Sequence, residues 1–382
     1  MNSSYDYDIV ILGAGVAGLA AGVAAARAGA HTLVLDGAPE IAMKVKGEVI
    51  RSGNTIVEKV LGKPLPESII MGTSKRRRIY SPTCKKEMLL EPETASLVIE
   101  YRPFMHEVAR TCVEAGANVA LNTRATELLL TERGEVCGLM CVRAGAPTLV
   151  RGKAVIAADG HSSLLRQQAN LPSPNVCSAY KVIVEGAKIP EPDVLEFCLL
   201  NEPAGAVWIF PKSEHSAECG IVLWDQNPGA QHADIRPIWE HYRRIHPVLT
   251  ERLRGASIIL TSVDRVIFGG LLDNFVRPGL VLVGDAAGQV GARGASGILS
   301  GLSMGYAAGA FLGEYAAKEE TPPSMAVMNR CMESMKDTDT WRLLKDEEKA
   351  GTMTRTFLYE VLKTNEEIDN SWEAISEAAR KQ

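Results

Sequence analysis

Residues 8–18 read DIVILGAGVAG, and residues 31–36 read HTLVLD. The short apolar run before Gly13 predicts a buried strand, because it consists mainly of β-branched residues and carries no charge after Asp8. The alanine-rich segment 19–30 contains no proline and predicts a helix packed beneath a sheet. Residues 31–35 predict a second strand. Strand, glycine turn, helix and strand in this order form a βαβ unit.

The glycines of the turn suit a bound dinucleotide. Gly13 can take the tight turn, Gly15 lets the backbone approach a pyrophosphate, and Gly18 lets helix and strand pack closely. The phosphates then face the N-terminus of the helix. Asp36 ends the second strand, where a carboxylate accepts both hydroxyls of an adenosine ribose and repels a 2′-phosphate. The pattern favours FAD or NAD over NADP, and an ordinary βαβ turn is the alternative.

The composition is that of an ordinary soluble globular protein. The chain has 382 residues, of which 46% are hydrophobic and 23% charged, with a formal net charge of −5. This length allows two domains or one domain with a large insertion. The negative charge gives no signal for nucleic acid. The basic run at residues 75–78 predicts a solvated hairpin edge, with anionic headgroups or an acidic electron-donor protein as alternative partners.

The spacing of the cysteines indicates whether a metal site is expected, and the N-terminal sequence indicates the cellular compartment. The eight cysteines include no CxxC pair, so neither an iron–sulfur cluster nor a zinc site is expected, and we predict no metal. The N-terminus lacks a signal-peptide pattern, and a reducing cytoplasm is the expected compartment. The uncharged stretch 298–313 is shorter than the roughly 20 residues of a spanning helix. It predicts a buried helix, with contact at the periphery of a membrane left open.

Later patterns divide the rest of the chain. Short strands at 69–71, 78–80 and 88–90 predict a hairpin inserted into the nucleotide-binding domain. A helix is predicted at 101–115, and strands between 119 and 150 predict a β-meander that leads into a buried strand ending at Asp159-Gly160. From 180 to 268 strands dominate, apart from one helix at 235–253, which predicts a mostly antiparallel substrate domain.

The predicted division therefore has six segments. The nucleotide-binding domain comprises 1–66, 101–175 and 271–323, with an inserted hairpin of the substrate domain at 67–100, the antiparallel substrate domain at 176–270, and a C-terminal helical region at 324–382 that is anchored by Trp341, Phe357 and Trp372.

Four separated signals stand in one order: residues 13–18, Arg102, Asp159-Gly160 and Gly284-Asp285. This order resembles the flavoprotein class with the para-hydroxybenzoate hydroxylase fold. The resemblance implies an α/β fold, with a Rossmann-like FAD-binding domain, an α+β insertion that forms an antiparallel-sheet substrate domain, and C-terminal helices. It also implies that the cofactor is FAD, with Asp159 near the diphosphate and Asp285 at the ribityl chain.

Within this class, one strand resembles the PxxYxWxFP signature of geranylgeranyl reductases. It reads Trp208-Ile209-Phe210-Pro211, with Pro203 before it and residues 219–221 (CGI) after it. Residues 101–104 (YRPF) and the pair Gly47-Glu48 are also similar to that family. Flat rings can wall a slot for an isoprenoid tail beside the flavin, while packing in the core is the alternative for Trp208 and Phe210.

Three positions depart from the family pattern. Ala206 occupies the tyrosine position of the signature, and Lys46 occupies the position of a cysteine that commonly precedes Gly-Glu. The flavin loop at 290–297 contains Arg293, whose charge would favour an anionic reduced flavin or an acidic substrate group. The loop still offers backbone N–H groups to a reduced flavin.

The resemblance implies an FAD-dependent oxidoreductase of the geranylgeranyl-reductase type, which transfers hydride to carbon–carbon double bonds of an isoprenoid or lipid. Such a reaction needs an acid near the alkene, for which Lys46, Glu48, Tyr80 and Cys84 are candidates. The expected electron donor is NADPH or reduced ferredoxin. The alternatives are a flavin-dependent monooxygenase, an electron-transfer flavoprotein serving a quinone or partner protein, and a flavin-binding protein without turnover.

The candidate catalytic residues are Lys46, Glu48, Trp208 and Phe210. The candidate cofactor-binding residues are Gly13, Gly15, Ala17, Gly18, Asp36, Gly37, Lys46, Gly47, Arg102, Ala125, Asp159, Gly160, Gly284, Asp285, Gly291, Gly294, Ala295, Ser296 and Gly297.

Overall fold

The computed structural model describes residues 5–44, 46–224 and 234–380. The strands within these ranges are β1 (Tyr7–Leu12), β2 (Thr32–Leu35), β3 (Val49–Arg51), β4 (Ile70–Ser74), β5 (Arg76–Tyr80), β6 (Glu87–Leu90), β7 (Ser96–Ile99), β8 (Asn118–Ala120), β9 (Thr123–Leu130), β10 (Val136–Arg143), β11 (Ala146–Ala157), β12 (Val176–Glu185), β13 (Val194–Asn201), β14 (Ala204–Pro211), β15 (Ser216–Leu223), β16 (Ser257–Ile267), β17 (Val276–Arg277) and β18 (Leu280–Leu282).

The helices within the same ranges are α1 (Val16–Arg27), α2 (Thr55–Leu61), α3 (Tyr101–Glu114), α4 (Leu164–Gln168), α5 (Ile235–Ile245), α6 (Pro247–Arg252), α7 (Ile298–Ala316), α8 (Met325–Lys336), α9 (Asp339–Thr356), α10 (Asn365–Asn370) and α11 (Trp372–Arg380). A π-helical turn, Phe357–Val361, follows α9.

A mixed sheet carries the predicted βαβ unit. Its main path runs β17-β18-β11-β1-β2-β8, and β1 is parallel to both β11 and β2. Residues 9–11 of β1 are fully buried, which explains their apolar character. Helix α1 begins at Val16, three residues earlier than the alanine-rich segment predicts, because Gly15 serves as its N-cap. The predicted fold class is confirmed.

Helix α7 packs against α1 through small residues. Gly305, Gly309 and Gly313 recur every four residues and form one face of α7. A Cβ at Gly309 would lie 2.2 Å from the carbonyl oxygen of Ala21 on α1. The two backbones therefore touch, and the uncharged stretch 298–313 is a buried helix, as predicted. Among the described residues, no helix has the length and apolarity needed to span a membrane.

The second sheet has the order β16-β12-β15-β14-β13-β5-β6. One of its faces packs on α5 and α6, with Trp239 fully buried between them. The predicted helix at 235–253 is divided into these two helices because Pro247 has no backbone N–H to continue the first. The opposite face looks toward the glycine turns of the first sheet and forms part of the site described below.

Several short segments pair differently from the predictions. The strands between 67 and 100 do not form one hairpin, because β5 and β6 join the second sheet while β4 and β7 form a third sheet with β3. Residues 118–120 pair in parallel with β2 instead of in the meander. The predicted strands near 148–150 and 154–158 are the single strand β11, which pairs with β10 along its first half and with β1 along its second.

The C-terminal helices close one side of the molecule. Trp341 and Trp372 are buried, as expected of anchors. Phe357 is 43% exposed, so the prediction that it anchors this region is wrong. Its ring lies at the rim of the cavity described below instead of in the core.

Candidate functional site

A cavity of about 2180 Å³ lies where the glycine turns, the second sheet and the C-terminal helices meet. Ordinary ligand pockets measure roughly 300–1,000 Å³, so this one has room for a dinucleotide and a long second molecule. The sequence-predicted residues that line it are Gly13, Gly15, Ala17, Asp36, Gly37, Lys46, Gly47, Ala125, Asp159, Gly160, Phe210, Gly284, Asp285, Gly291, Gly294, Ala295, Ser296 and Gly297.

Four candidate residues stand outside the lining. Gly18 is buried in the first turn of α1, against the glycine turn, and Arg102 is exposed on the first turn of α3. Glu48 is buried behind the wall. Trp208 is half-buried on the same face of β14 as Phe210, with ring centroids 6.2 Å apart, but does not line the cavity. Tertiary packing decides which of these residues reach the cavity, and the sequence pattern alone does not predict that packing.

The glycine turn at the end of β1 is held by Asp36. The Asp36 carboxylate accepts hydrogen bonds from the backbone N–H of Ala14 at 2.7 Å and of Ala38 at 2.8 Å. These bonds fix the carboxylate beside the N-terminus of α1, at the end of β2. A ribose placed there would meet an oriented acceptor, as the βαβ pattern predicts.

The glycines of this turn meet different constraints. Gly13 has a φ of 109°, and a Cβ there would lie 2.2 Å from the carbonyl oxygen of Ala158. A Cβ at Gly18 would lie 1.8 Å from the carbonyl oxygen of Gly13. A Cβ at Gly15 would have no protein atom within 4 Å. Of these three glycines, only Gly15 therefore leaves an open cradle that the protein itself does not fill.

Asp159 lies two residues after the end of β11, on the opposite side of the same turn. Its Oδ2 accepts from the backbone N–H of Leu165 at 3.3 Å, while its Oδ1 is buried without a hydrogen-bond partner. Burial raises the pKa of Asp159, and hydrogen bonds from Ser163 and backbone groups only partly offset that effect. A buried acceptor without a donor at the cavity wall is a feature that a bound hydroxyl or amide would satisfy.

Lys46 joins two carboxylates across the cavity. Its Nζ lies 2.7 Å from Oδ2 of Asp264 on β16 and 3.7 Å from Oδ2 of Asp285. Burial alone would lower the pKa of Lys46, but the Asp285 and Asp264 carboxylates outweigh it and raise the pKa. His161 lines the cavity nearby, and burial lowers its pKa. At neutral pH this wall thus holds a charged ammonium between two acids.

A buried ionic layer supports the cavity wall. Glu48 accepts from Nζ of Lys212 at 3.1 Å and from the backbone N–H of Tyr101 at 3.3 Å. Glu218, on β15, accepts from Nε1 of Trp208 at 2.9 Å and lies 3.7 Å from Nζ of Lys181. Burial raises the pKa of Glu218 to about 7, although Lys181 lowers it. These groups hold the wall and do not reach the cavity.

The cavity face of the second sheet is apolar and aromatic. Phe210 packs edge-on against Phe197 with ring centroids 5.3 Å apart, and both rings line the cavity. Trp208 packs against Gly220, where a Cβ would be 2.2 Å from the indole ring. Ala206 lines the cavity beside them and leaves the space that a larger side chain would take. This face can hold a flat or chain-like apolar molecule.

Two of the proposed proton donors are on the wrong side of this sheet. Tyr80 packs in the core against α5 and α6, where its hydroxyl donates to Oε1 of Glu196 at 2.9 Å. Cys84 packs against the same core, with its Sγ 3.3 Å from Nε2 of His246. Strand alternation turns Tyr80 away from the cavity face, and Cys84, in the turn after β5, packs on the same side as Tyr80, so neither lines the cavity.

The predicted basic run is mostly neutralised. Arg76 pairs with Asp193 at 2.8 Å, and Arg78 pairs with Glu191. Arg77 points the other way and lines the cavity. The predicted hairpin edge is wrong, because β5 lies between β13 and β6 in the second sheet. Arg76 is partly exposed to solvent, whereas Arg77 faces the cavity, because alternate residues of a strand face opposite sides.

Sequence reasoning missed three residues that line the cavity, His161, Arg51 and Arg77, and missed Asp264, which pairs with Lys46 of the lining. His161 directly follows the Asp-Gly corner, and that adjacency was a usable signal. Asp264 and Arg77 lie on strands whose register across the sheet decides what they meet, and the sequence does not contain that register. Among the described residues, no group of three His, Cys, Asp or Glu side chains is placed to hold a metal ion.

The lining fits FAD. The open cradle at Gly15, the oriented Asp36 carboxylate and the unsatisfied Oδ1 of Asp159 surround one end of the cavity. Asp285 and the glycine-rich loop at 291–297 border the other part. Donors, acceptors and space thus stand where a dinucleotide needs them.

Comparisons with known proteins agree with this geometry. The family described as FAD binding domain matches residues 6–325. Digeranylgeranylglycerophospholipid reductase of Methanocaldococcus jannaschii is 30% identical over 311 residues, which cover 79% of this chain and 76% of the relative. The enzyme of the same name from Methanosarcina acetivorans is 31% identical, with 79% and 74% covered.

Solved structures extend the likeness to the fold. A geranylgeranyl bacteriochlorophyll reductase-like protein from Thermoplasma acidophilum has a TM-score of 0.79 at 26% identity, covering 97% of this chain and 91% of that chain. A flavin-dependent brominase has a TM-score of 0.68 at 18% identity, covering 98% and 100%. At that identity the brominase shares the fold alone. This chain therefore belongs to the FAD binding domain family, and it is an FAD-dependent oxidoreductase of the reductase type.

Proposed function

We propose that this protein reduces carbon–carbon double bonds in the isoprenoid chains of a lipid. The observation that carries the proposal is the continuous cavity that joins the cradle for FAD to the apolar face around Phe197 and Phe210. A long isoprenoid chain is apolar and flexible, and such a face can bury it. The reductases named above, which act on a digeranylgeranylglycerophospholipid, support the same substrate class.

Reduced FAD, when bound, would supply the hydride to one carbon of the double bond, and a proton from solvent would complete the reduction at the other carbon. The chain's own residues position the reactants and control charge. Asp36 and the N-terminus of α1 hold the dinucleotide, while Phe197 and Phe210 hold the isoprenoid and exclude water. Lys46 keeps its positive charge at neutral pH, since its pKa is raised, and it offsets negative charge that develops nearby.

The test is an anaerobic turnover experiment. The FAD-loaded protein is reduced with dithionite, a geranylgeranyl lipid is added, and both the flavin absorbance and the lipid mass are followed. We expect flavin reoxidation with a gain of two hydrogens per reduced double bond. If the flavin is reoxidised only after air is admitted, the reductase function is rejected and a monooxygenase is favoured. Reoxidation by a quinone or an electron-accepting protein, with unchanged lipid, would favour an electron-transfer flavoprotein.

The electron donor and the membrane belong to the proposal as well. NADPH and reduced ferredoxin are the two donors to compare in the same assay. Exposed apolar side chains rim the cavity on α9 and the turn after it, where Met353 is 63% exposed and Phe357 is 43% exposed. A lipid substrate leaving a bilayer would pass such a rim, which supports contact with the membrane surface.

Flotation with phospholipid vesicles tests that contact. We expect the wild-type protein to float and the double variant M353S/F357S to float less. Ile259 is 62% exposed on β16 and does not line the cavity, so I259S is the matched control. If M353S/F357S and I259S lost flotation equally, the rim would be rejected as the membrane contact. The same holds if the wild-type protein did not float.

A further inference from the structure

Three arginines gather at the wall of the cavity. Arg51 on β3, Arg77 on β5 and Arg293 in the glycine-rich loop all line it. Burial lowers the pKa of Arg77, and the positive charges of Arg51 and Arg293 lower it further. Like charges brought together in a partly buried wall cost free energy unless something negative offsets them. Arg51 and Arg77 are 26 positions apart in the sequence, whereas Arg293 is more than 200 positions from both.

Around Arg77, neighbouring cations outnumber neighbouring carboxylates. Glu347 on α9 is the carboxylate that raises the pKa of Arg77, against two neighbouring cations that lower it. The Oε2 of Glu347 and the Nε of Arg77 are both buried without a hydrogen-bond partner. Arg77 donates through Nη2 to Oγ of Ser96 at 3.3 Å, a neutral acceptor. The guanidinium of Arg77 therefore retains an unused donor inside the site.

The cations border the apolar face of the second sheet. Arg77 pairs across the sheet with Leu195 and Leu90, and Ile79 pairs with Phe197 and Met88, all of which line the cavity. Alternation places Arg77 and Ile79 on the cavity face, one pleat apart. A molecule with an anionic end and an apolar chain would match this change from charged to apolar wall.

From these observations we infer that Arg51, Arg77 and Arg293 form a subsite for the phosphate of an anionic isoprenoid lipid. Guanidinium groups bind phosphate oxygens through charge-assisted, often bidentate hydrogen bonds. The inference rests on the proposed function, since it names the head group of the same substrate. Free phosphate and the phosphates of NADPH share this chemistry, and the experiment distinguishes them.

The experiment measures binding without turnover. The FAD-loaded, oxidised protein is titrated with geranylgeranyl phosphate and with geranylgeraniol, and Kd is read from the perturbed flavin spectrum or by calorimetry. We expect the phosphate to bind more tightly in the wild type. Arg77→Gln should raise the Kd of the phosphate by about tenfold or more and leave that of the alcohol unchanged.

Arg76→Gln is the matched control, because Arg76 is the adjacent arginine on the opposite face and pairs with Asp193. It should change neither Kd. Arg293→Gln provides a second variant, should Arg77→Gln fail to fold as judged by its melting temperature. Arg77→Lys should recover part of the lost affinity, since it restores the charge without the planar fork.

Each outcome has a separate meaning. The subsite is overturned if the wild type binds geranylgeranyl phosphate and geranylgeraniol equally well. It is also overturned if Arg77→Gln changes the Kd of both ligands by the same factor. Both conclusions stand even where the turnover assay succeeds. Inorganic phosphate or NADPH that competes at concentrations similar to the lipid phosphate overturns its assignment to a lipid. A selective loss in Arg77→Gln together with failed turnover supports the subsite and rejects the reductase.

Discussion

Gly15 and Gly18 differ in what their missing side chains leave free. At Gly15 no protein atom lies within 4 Å of the place that a Cβ would take, whereas at Gly18 the nearest carbonyl oxygen is 1.8 Å away. Gly15→Ala should therefore leave the apoprotein's free energy of unfolding nearly unchanged and weaken FAD binding by about tenfold or more. Gly18→Ala should lower the free energy of unfolding of the apoprotein by about 1–3 kcal/mol or more.

Denaturant unfolding of both apoproteins and FAD titrations monitored by fluorescence measure the two effects. The pair serves as its own control, because the substitution is identical and only the surroundings differ. A Gly15→Ala apoprotein that unfolds as easily as Gly18→Ala would mean that Gly15 has a structural role and that the cradle is not a cofactor site.

Cys84 has an unusual environment for a surface-accessible thiol. The Cys198 thiol donates to it, and although burial raises its pKa, His246 helps to lower the pKa to about 5. Nδ1 of His246 accepts from the backbone N–H of Leu249 at 3.5 Å, which leaves Nε2 as the ring nitrogen that faces Sγ. An ordinary thiol has a pKa near 8.5, so Cys84 should be a thiolate at neutral pH.

Alkylation with iodoacetamide measures that state. The rate at Cys84 should stay nearly constant between about pH 6.5 and pH 8, where an ordinary thiol's rate rises roughly tenfold per unit. His246→Gln should slow the reaction at pH 6.5. Cys84→Ser should abolish fast labelling, because the other seven cysteines are buried. A rate that climbs with a midpoint near 8.5 would show that the thiol is not activated.

Individual residues of the site were predictable where one local motif fixes them. Asp36 and Gly13 follow from the βαβ pattern, because the turn and the end of the next strand are close in sequence. The partners of Lys46 were not predictable, since Asp264 lies 218 positions away on a strand of another sheet. Charge pairs across a cavity depend on sheet register and domain packing, which no short spacing encodes.

At the scale of elements, the contact between α1 and α7 depends on glycine. An alanine at an exposed helix position stabilises by about 1 kcal/mol relative to glycine. At Gly309 the added Cβ would lie 2.2 Å from the backbone oxygen of Ala21, so steric overlap should outweigh that gain. We expect Gly309→Ala to lower the free energy of unfolding by about 1–3 kcal/mol and to weaken FAD binding, because α1 carries the cradle.

Chemical denaturation of Gly309→Ala beside Gly294→Ala provides the check. Gly294 has no atom within 4 Å of a Cβ position, so its variant should unfold as the wild type does. If Gly309→Ala stabilised the protein, α1 and α7 could move apart at no cost. The recurrence of glycine at every fourth residue of α7 would then have no role in packing.

Elements with strong local signals were predictable, and elements defined by their partners were not. The buried strands β1 and β2 and the long helix α7 follow from apolar runs, composition and caps. The short strands β4, β5 and β6 were predicted, but β7 and the division of these strands between two sheets were not. Their sequences favour β-strands but do not indicate which strand each one pairs with. A strand of only three to five residues can pair with either sheet.

At the scale of the whole molecule, one ionic bridge spans parts of the fold that are far apart in sequence. Lys46 follows β2, Asp264 belongs to the second sheet, and Asp285 lies on the turn after β18. The apolar cores of the first and second sheets are separate clusters, so contacts of this kind couple the two. Removing the cation should therefore affect the arrangement of the cavity as well as local charge.

Lys46→Gln should lower the free energy of unfolding by about 1–3 kcal/mol at pH 7, between the values for exposed and buried ion pairs, because two carboxylates lose their shared cation. Although burial raises it, the pKa of Asp264 is held low by Lys46, so this contribution is present above the carboxyl's unfolded pKa and is lost as pH falls through the folded value. The raised pKa of Lys46 means that the contribution is also lost as pH rises through that folded value.

The difference in stability between wild type and Lys46→Gln should thus be largest near neutral pH and shrink toward both acidic and strongly alkaline pH. Lys63→Gln is the control, since Lys63 pairs with Glu107 at the surface and should cost less than about 1 kcal/mol. Denaturant unfolding at several pH values, with and without FAD, measures the profile. A difference that does not vary with pH would assign Lys46 to packing, and the two sheets would then be coupled by contacts other than this bridge.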